Sequence, residues 1–312
     1  MSDTFLDSAW YFLRYPSVGI DEVPFDASIT KKWLPVDSYI GGNEHAVLHL
    51  LYSRFITMVL SDMGILEFEE PFTRFRAHGL IIRNGAKMSK SKGNVVIPDH
   101  YIEKWGADAF RTYLMFLGPF EEGGDFRDAS ISGVKRFLDR LWASVAVACD
   151  SATIDRATDP DVMRKLHQTI KKVGDDIPRL SYNTAVAAMM EYMNVLRRGE
   201  RTPSRAEVEP LVQLVSPFAP HIAEELWEKI GKTGSVFDAR WPAYDPTLVS
   251  ADTIDLVVQI NGKTRGKLSV ARDIGQEEAV SAALAEESMA KFLSGEPKKV
   301  IFVPGRLLNL VG

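Results

Sequence analysis

Over roughly the first 120 residues, short apolar runs alternate with amphipathic stretches. Val36 to Ile40 predicts a strand that ends in Gly41-Gly42, and Asn43 is placed to cap a helix that Gly64 closes. A second strand is predicted over Arg76 to Ile82. This alternation of strand and helix favours an α/β layer with a largely parallel sheet.

Turn and helix-start residues mark the end of this first region. Asn84-Gly85 predicts a tight turn after the second strand. Pro98 is typical of the first turn of a helix, and Gly106 interrupts the helical pattern that follows it.

From about Ile131 to Ile230 the apolar residues recur at the spacing of an amphipathic helix. Three stretches carry this pattern: Val134, Phe137, Leu138, Leu141 and Trp142; Val186, Met189, Met190, Met193 and Leu196; and Leu211, Leu214, Val215 and Phe218. Pro203 and Pro217 separate these stretches, so the region predicts a helical bundle.

The last sixty residues predict a small α+β unit. Strands are expected over Ile254 to Ile260 and Thr264 to Val270, joined by a hairpin turn at Asn261-Gly262. A helix over Glu277 to Leu293 and a strand over Lys299 to Val303 follow. The expected division is an α/β region over 1–120, a bundle over 121–240, a linker over 241–253 and this unit over 254–312.

Composition narrows the class of protein. A chain of 312 residues with 46% hydrophobic residues has enough apolar content for the cores of two or three domains. Cys149 is the one cysteine, which excludes an internal disulfide and fits a reducing cytoplasm. A formal net charge of −5 argues against coating nucleic acid by bulk charge, although a local basic surface stays open. No signal peptide and no apolar run long enough for a membrane is apparent.

The stretch Lys87-Met88-Ser89-Lys90-Ser91-Lys92-Gly93-Asn94 is the most informative in the chain. Alternating lysines and small hydroxyls on a loop can surround a phosphate chain with cations and hydrogen-bond donors. Fixed cations of this kind lower the barrier to release of pyrophosphate from ATP. The plain alternative is a solvated basic loop, but its place after a strand and before a Pro-started helix favours function. The sequence pattern of a P-loop, Gly-x-x-x-x-Gly-Lys-Ser/Thr, is absent.

A second candidate site lies in Tyr39-Ile40-Gly41-Gly42-Asn43-Glu44-His45-Ala46-Val47-Leu48-His49. Two glycines after a strand let a ligand approach the backbone, and Glu44 can accept hydrogen bonds from ribose hydroxyls. His45 and His49 are four residues apart and share a helix face. Zinc binding by this pair is disfavoured, because a third ligand is not evident and the His-Glu-x-x-His order is absent.

The lysine pentapeptide resembles the signature loop of class I aminoacyl-tRNA synthetases, and His78-Gly79 before it is similar to the region beside the adenine. The resemblance implies that Lys87 and Lys90 hold ATP phosphates, with Lys90 stabilising the leaving pyrophosphate. Met88, Ser89 and Ser91 complete the ATP-binding loop. ATP enters as a complex with Mg²⁺, and no protein-bound metal is expected.

Two stretches resemble the leucyl-tRNA synthetase family more specifically. They are the glycine–histidine stretch and Asp3-Thr4-Phe5-Leu6-Asp7-Ser8-Ala9-Trp10-Tyr11-Phe12-Leu13-Arg14-Tyr15. The resemblance implies a leucine pocket lined by Phe5, Tyr39, His45 and His49. It also implies that Gly41, Gly42 and Glu44 lie near the adenosine of ATP.

The remainder of the chain resembles the same family. Ser181 to Ala185 and Ser216 to Trp227 are similar to its anticodon-binding bundle, within which His221 is expected to have a core or capping role. Val258 to Lys267 is similar to the C-terminal domain of the bacterial members, which binds tRNA. Lys263, Arg265 and Lys267 alternate on a predicted strand and are the candidate phosphate contacts, with a solvated hairpin face as the alternative.

The resemblance implies a cytoplasmic leucine–tRNA ligase, of which this chain would be the C-terminal portion. Its first region would be the second half of a Rossmann-like catalytic domain, because a His-Ile-Gly-His element is absent from the sequence. That element and the editing domain are expected in an N-terminal half or partner subunit, without which the chain should be inactive. The alternatives are a non-catalytic tRNA-binding relative and a class I synthetase for valine, isoleucine or methionine.

Overall fold

A computed structural model describes residues 5–150, 157–199, 201–249, 253–271, 274–293, 295 and 297–312. The chain divides into two compact units, Met1–Pro242 and Ala243–Gly312. Among the described residues, no helix has both the length and the apolar character needed to cross a membrane.

The first unit begins with three short helices, α1 (Phe5–Ser8), α2 (Tyr11–Arg14) and α3 (Ala27–Trp33). Asp26 caps α3, since its carboxylate accepts hydrogen bonds from the backbone N–H groups of Ser28 and Ile29. A small apolar core packs α2 against the segments that follow α3 and α4, and it is formed by Phe12, Leu13, Leu34 and Leu66.

Strand β1 (Tyr39–Gly42) pairs in parallel with β2 (Phe75–His78). The strand predicted over Val36 to Ile40 was therefore displaced toward the C-terminus: only a single bridge, Val36 to Phe72, precedes β1. Both glycines belong to the strand. Because Gly42 has no side chain, the carboxylate of Glu44 can lie against its backbone.

The helix predicted after Asn43 divides into a 3-10 turn, Asn43–Ala46, and α4 (His49–Asp62). Asn43 as the N-cap was wrong, because it is already the first residue of the 3-10 turn. Gly64 closes the helix as predicted, with a left-handed φ of 71°.

A second sheet has the order β4-β3-β5, formed by β3 (Leu80–Arg83), β4 (Ala86–Lys87) and β5 (Gly123–Phe126). Asn84 and Gly85 make the predicted turn between β3 and β4, with φ of 53° and 76°. The single strand predicted over Arg76 to Ile82 was wrong. The backbone of Gly79 turns to bond Phe120, so that β2 and β3 enter different sheets.

Helices α5 (Pro98–Trp105) and α6 (Ala107–Phe116) follow, separated at Gly106 as predicted, where φ is 87°. Aromatic side chains join them to the second sheet. Tyr113 and Phe126 are buried there and meet at 5.2 Å between ring centroids.

The bundle consists of α7 (Ile131–Ala148), α8 (Pro160–Asp176), α9 (Tyr182–Leu196), α10 (Arg205–Val215) and α11 (Pro220–Lys229). Most of the apolar residues that predicted α7, α9 and α10 line one continuous core. Val134 belongs instead to the core around Phe110 and Phe126. Trp142 is 41% exposed, and the ammonium of Lys229 lies 5.7 Å from the centroid of its ring.

A buried polar group ties α9 to α10. The hydroxyl of Tyr192 donates to the carbonyl of Glu207 at 2.6 Å. The Glu207 carboxylate is itself fully buried, and Arg201 donates to it at 2.7 Å and 2.9 Å. The same carboxylate accepts from the backbone N–H of Ser204, completing a capping box at the start of α10.

The second unit contains α12 (Pro246–Val249) and a sheet of order β7-β6-β9-β8, with α13 (Gln276–Ala285) and α14 (Glu287–Ala290). Its strands are β6 (Thr253–Ile260), β7 (Lys263–Ala271), β8 (Lys299–Val303) and β9 (Leu307–Val311). The hairpin at Asn261-Gly262 is confirmed by φ of 51° and 76°. The single helix predicted over Glu277 to Leu293 was wrong, because Glu286 is extended and divides it. β9 was missed.

The chain thus combines mixed sheets with packed helices. The proposed domain boundaries stay a prediction. Within the predicted linker, α12 is present, while residues 250–252 lie outside the described part of the chain.

Candidate functional site

The carboxyl ends of β1 and β2 bring together five of the ten residues predicted to bind ATP. Gly42 is paired in parallel with His78, so Gly41 and Gly79 lie at the same end of the sheet. Ligands of open parallel sheets bind at this end. The Glu44 carboxylate lies across Gly42, where an added Cβ would come within 2.4 Å of Oε2. We call this group of five residues the glycine corner.

Gly79 is required by its surroundings. A Cβ at this position would lie 2.0 Å from the backbone carbon of Glu122, and its N–H donates to the carbonyl of Phe120 at 2.9 Å. His78 is exposed beside it, with its ring 6.1 Å from that of Phe120. An apolar cleft of about 490 Å³ opens beside these residues, with Leu80, Phe120 and Tyr182 in its wall. Sequence reasoning missed this cleft.

The lysine loop, Lys87 to Asn94, is held in shape by its own polar groups. The Asn94 side chain accepts from the N–H of Ser89 at 2.8 Å and donates to the carbonyl of Lys87 at 3.1 Å. Ser89 caps a 3-10 turn over Lys90–Lys92 by accepting from the N–H of Lys92 at 3.3 Å. Gly93 ends that turn with a φ of 63°. The sequence predicted no role for Asn94, and its two hydrogen bonds show that it holds the loop closed.

The three lysines of this loop are exposed, and none has an ion-pair partner among the described residues. Met88 is turned inward against the core around Phe110 and Phe126. Ser91 is exposed, with its hydroxyl 3.2 Å from that of Ser89. The loop therefore presents cations and hydroxyls to solvent from an anchored backbone, which suits an anionic ligand.

A hydrogen-bonded chain links Tyr39 to α4. His49 Nε2 lies 2.5 Å from the carbonyl of Ser8, which can only accept, so Nε2 carries the proton. In the tautomer with the proton on Nε2, His49 accepts at Nδ1 from the Tyr39 hydroxyl, at 2.7 Å. Burial, with a smaller effect of Tyr11, raises the pKa of Tyr39 above its ordinary value. The phenol therefore keeps the proton that it donates.

His45 stands edge-on to His49, with ring centroids 6.4 Å apart. Its Nδ1 is buried and has no hydrogen-bond partner among the described residues, so it can bond a ligand. No group of three or more His, Cys, Asp or Glu in the described part of the chain is arranged to hold a metal ion. The prediction for Phe5 concerns a side chain that lies outside the described structure, as do Asp3 and Thr4.

The basic residues of the second unit are exposed on β7, but their alternation is broken. The register shifts opposite Val258 and Gln259, so Arg265 has no partner on β6. The Arg265 guanidinium lies 3.8 Å from the ring centroid of Phe292. Lys263 and Lys267 keep their pairing positions on either side of this bulge.

His221 does not lie in the core. It is exposed, and its Nδ1 lies 2.8 Å from the carboxylate of Asp108. Asp108 also accepts from the N–H groups of His221 and Ile222, at 3.3 Å and 2.7 Å. The capping side chain at the start of α11 is therefore Asp108, which the sequence did not indicate.

Two family models match the chain. One, for class I tRNA synthetases (I, L, M and V), covers residues 3–123, and the other, for the anticodon-binding domain of tRNA ligases, covers residues 159–280. Both the lysine loop and the glycine corner fall within the first.

Relatives match along almost the whole chain. Leucine–tRNA ligases of Thermosipho melanesiensis and Dehalococcoides mccartyi are each 45% identical over 99% of it. This chain spans 40% and 39% of their lengths.

Solved structures agree. Agrobacterium radiobacter K84 LeuRS, in a ternary complex with tRNA and LeuAMS, matches 99% of this chain at a TM-score of 0.79 and 38% identity. The match covers 42% of the LeuRS chain. Methionyl-tRNA synthetase of Mycobacterium tuberculosis matches 79% of this chain and 52% of its own, at a TM-score of 0.57 and 18% identity, which shows a shared fold alone. Over 99% of its length the chain is therefore similar to part of a leucine–tRNA ligase, and residues 3–123 match the model for class I tRNA synthetases.

Proposed function

We propose that this chain is the C-terminal portion of a leucine–tRNA ligase and supplies one side of its active site. The observation that carries the proposal is the lysine loop, with cations that lack ion-pair partners among the described residues and a backbone fixed by Asn94. In the proposed reaction, the leucine carboxylate attacks the α-phosphate of ATP and pyrophosphate leaves. The leucyl group then passes to the terminal adenosine of tRNA.

Lys87 and Lys90 are proposed to hold the phosphates of ATP, with Met88, Ser89 and Ser91 completing the loop. As the bond to the α-phosphate breaks, negative charge grows on the leaving oxygen. A cation already fixed at that place stabilises the transition state more than the ground state, which is what accelerates a reaction. Lys90 is proposed for this role, and Mg²⁺ enters with ATP as part of the substrate.

The glycine corner is proposed to receive the nucleoside of ATP. At Gly41 the nearest atom to an added Cβ is 3.6 Å away, so a planar base and its ribose can approach the backbone there, while Gly42 and Gly79 make room for Glu44 and for the backbone of Glu122. The exposed Glu44 carboxylate is suited to accept hydrogen bonds from ribose hydroxyls. His78, with an exposed ring at the end of β2, is proposed to lie beside the adenine.

The leucine side chain is proposed to bind beside Tyr39, His45 and His49, with Phe5 as a further wall. An apolar slot distinguishes aliphatic side chains by only about 1–3 kcal/mol per methylene. Such a pocket would admit close analogues of leucine, so an editing domain is needed elsewhere in the enzyme.

The helical bundle and the second unit are proposed to bind leucine tRNA. Lys263 and Lys267 are proposed phosphate contacts, and Arg265 either contacts RNA or stays on Phe292. The order proposed is the catalytic half over 1–120, the bundle over 121–240, the linker and the small domain over 254–312. The assembled enzyme is proposed to act in the cytoplasm.

The remaining part of the enzyme is proposed to dock on β1 and α4. Within the described residues β1 pairs only with β2, so its other edge is open for a further strand. Beside it, α4 exposes the apolar side chains Leu51, Phe55 and Met58, at 52%, 59% and 39%. A patch of this kind on a folded chain marks an interaction surface. The proposed partner carries the His-Ile-Gly-His element.

Leucine-dependent ATP–pyrophosphate exchange tests this proposal. The purified chain should show almost no exchange, because ATP held from one side is poorly oriented and orientation supplies up to about 7–11 kcal/mol of a barrier. Adding the remaining part of a leucine–tRNA ligase should restore exchange. Robust exchange by the chain alone would refute the two-part site. Exchange absent even from the assembled pair would favour a non-catalytic tRNA-binding relative.

A further inference from the structure

Four aromatic rings connect the helical bundle to the glycine corner. Phe218 stands edge-on to Tyr182, with ring centroids 6.2 Å apart and an interplanar angle of 84°. Tyr182 meets Phe120 in the same way at 6.3 Å and 88°, and Phe120 meets His78 at 6.1 Å and 79°. We call these four residues the ring series. Edge-to-face contacts favour one mutual orientation of two rings, so the position of each ring depends on its neighbour.

The bundle end of the ring series is held in place by α6. Phe218 is buried, and its backbone carbonyl accepts from the hydroxyl of Thr112 at 3.3 Å. The preceding carbonyl, that of Pro217, accepts from Arg111 at 3.4 Å. Phe218 is therefore a fixed support for the ring of Tyr182.

The segment that carries Tyr182 is also attached to β2. Tyr182 is the first residue of α9, and Arg76 on β2 donates to the carbonyl of Arg179, shortly before that helix, at 3.0 Å. The apolar cleft of about 490 Å³ borders both Tyr182 and Phe120, so packed side chains do not surround either ring completely. The contact between these two rings is therefore a principal constraint on where Phe120 lies.

Phe120 transmits this constraint to the glycine corner through two contacts. Its ring meets that of His78, and its carbonyl accepts from the N–H of Gly79 at 2.9 Å. Gly79 lies so close to Glu122 that there is no room for a Cβ between them. A shift of Phe120 would therefore move both ring and backbone atoms of the glycine corner.

We propose that Tyr182 is a positioning residue for the nucleoside of ATP, and that it acts through Phe120 on His78 and Gly79. This inference rests on the proposed function, because it takes the glycine corner as the nucleoside site. The lysine loop contributes no residue to the ring series, so the phosphates of ATP should be held independently of Tyr182. Binding of the base and ribose is thereby separated from binding of the phosphates.

The test is leucine-dependent pyrophosphate exchange by the assembled enzyme, with adenosine and inorganic tripolyphosphate as competitive inhibitors against ATP. Adenosine probes the glycine corner, and tripolyphosphate probes the lysine loop. In Tyr182→Leu, the KM for ATP and the inhibition constant of adenosine should each rise about tenfold, less than the roughly hundredfold loss that a misplacement of about 1 Å can cause. The inhibition constant of tripolyphosphate and the KM for leucine should keep their wild-type values.

Further variants separate positioning from a general loss of structure. Tyr182→Phe keeps the ring and should match the wild type. Tyr192→Phe is the matched control on the same helix, because it removes the buried bond to the carbonyl of Glu207 without touching the ring series, and it should change none of these constants. Phe120→Leu should reproduce the pattern of Tyr182→Leu. The double variant should be no worse than Phe120→Leu alone, because two residues that act through one contact are not additive.

Three outcomes would overturn the proposal. They are wild-type constants for ATP and adenosine in Tyr182→Leu, equal rises for adenosine and tripolyphosphate, and additive effects in the double variant. The second would assign Tyr182 to the fold of the whole region, and the third would show that it does not act through Phe120. Tyr182→Met provides the same measurement if the leucine variant does not assemble. A failure of the proposed function would instead appear as absent exchange by the assembled wild-type enzyme.

Discussion

The lysine loop concentrates three cations between Lys87 and Lys92, and Asn94 fixes the backbone that carries them. The pentapeptide itself was visible in the sequence. The closing bonds of Asn94 were not, since they depend on the path of the loop. For single residues, the sequence therefore shows which side chains carry charge, and only the fold shows which of them form ion pairs.

Lys90→Ala in the assembled enzyme should lower leucine-dependent pyrophosphate exchange by about two orders of magnitude or more, as expected for loss of a cation that stabilises the transition state. The matched control is Lys92→Ala, in the same loop, where the backbone N–H of Lys92 and not its side chain holds the turn. Near-normal exchange in the Lys90 variant would remove this residue from the proposed role.

Tyr39→Ala and His49→Ala should each raise the KM for leucine more than the KM for ATP. Both changes break the chain that runs from Tyr39 through His49 to the carbonyl of Ser8. Tyr39→Phe tests the hydrogen bond to His49 itself, because it keeps the aromatic ring but leaves His49 Nδ1 without a partner. The lost partner should lower the free energy of unfolding by about 1–3 kcal/mol. Equal changes in both KM values, or none for leucine, would contradict a leucine pocket here.

Among the elements, three of the five bundle helices, α7, α9 and α10, were predicted from their apolar spacing, whereas α8 was missed and the short strands β1 to β3 were misplaced. Apolar residues three and four positions apart predicted these helices, because each helix buries one apolar face in the core. The division at Gly79 depends instead on Glu122 and Phe120, which are distant in sequence. Likewise, His49 was placed on a helix face from sequence, but its partner Ser8 is set by tertiary packing.

The Tyr192 bond between α9 and α10 predicts a dependence of stability on alkaline pH. Burial, with a smaller effect of Glu207, raises the pKa of Tyr192 above its ordinary value. The phenol ionises more readily in the unfolded chain, so its contribution is complete below about pH 10 and is lost as the pH rises further. The free energy of unfolding can be measured by urea unfolding followed by circular dichroism. Above pH 10, it should fall more steeply with pH in the wild type than in Tyr192→Phe. The difference between the two slopes should be about 1.4 kcal/mol per pH unit. An identical slope in both proteins would contradict this.

At the scale of the whole molecule, the chain spans about 40% of its relatives' length, and its open surfaces fit that fact. The sequence contains no His-Ile-Gly-His element. It did not indicate where a partner would dock, because α4 has an ordinary apolar content and only the fold shows that Phe55 has no cover within the described residues.

Phe55→Asp should weaken assembly with the remaining part of the enzyme while leaving the chain folded. The ring is 59% exposed, so a carboxylate there is solvated in the free chain but desolvated in the complex. Phe237→Asp is the matched control, with 55% exposure in the bundle region. Analytical ultracentrifugation of the mixed parts should show lost association for the first variant alone. Equal association by both variants would place the interface elsewhere.

The closure of the lysine loop by Asn94 links the stability of the fold to its ligand. Several ammonium groups on one short, fixed segment repel each other, and this repulsion lowers the free energy of unfolding of the ligand-free protein. A bound polyphosphate would offset that repulsion, and the loop is already ordered to receive it. Binding would raise the free energy of unfolding by about 2.7 kcal/mol at a ligand concentration one hundred times the Kd. Under the proposed function, ATP would therefore stabilise the folded form of this region.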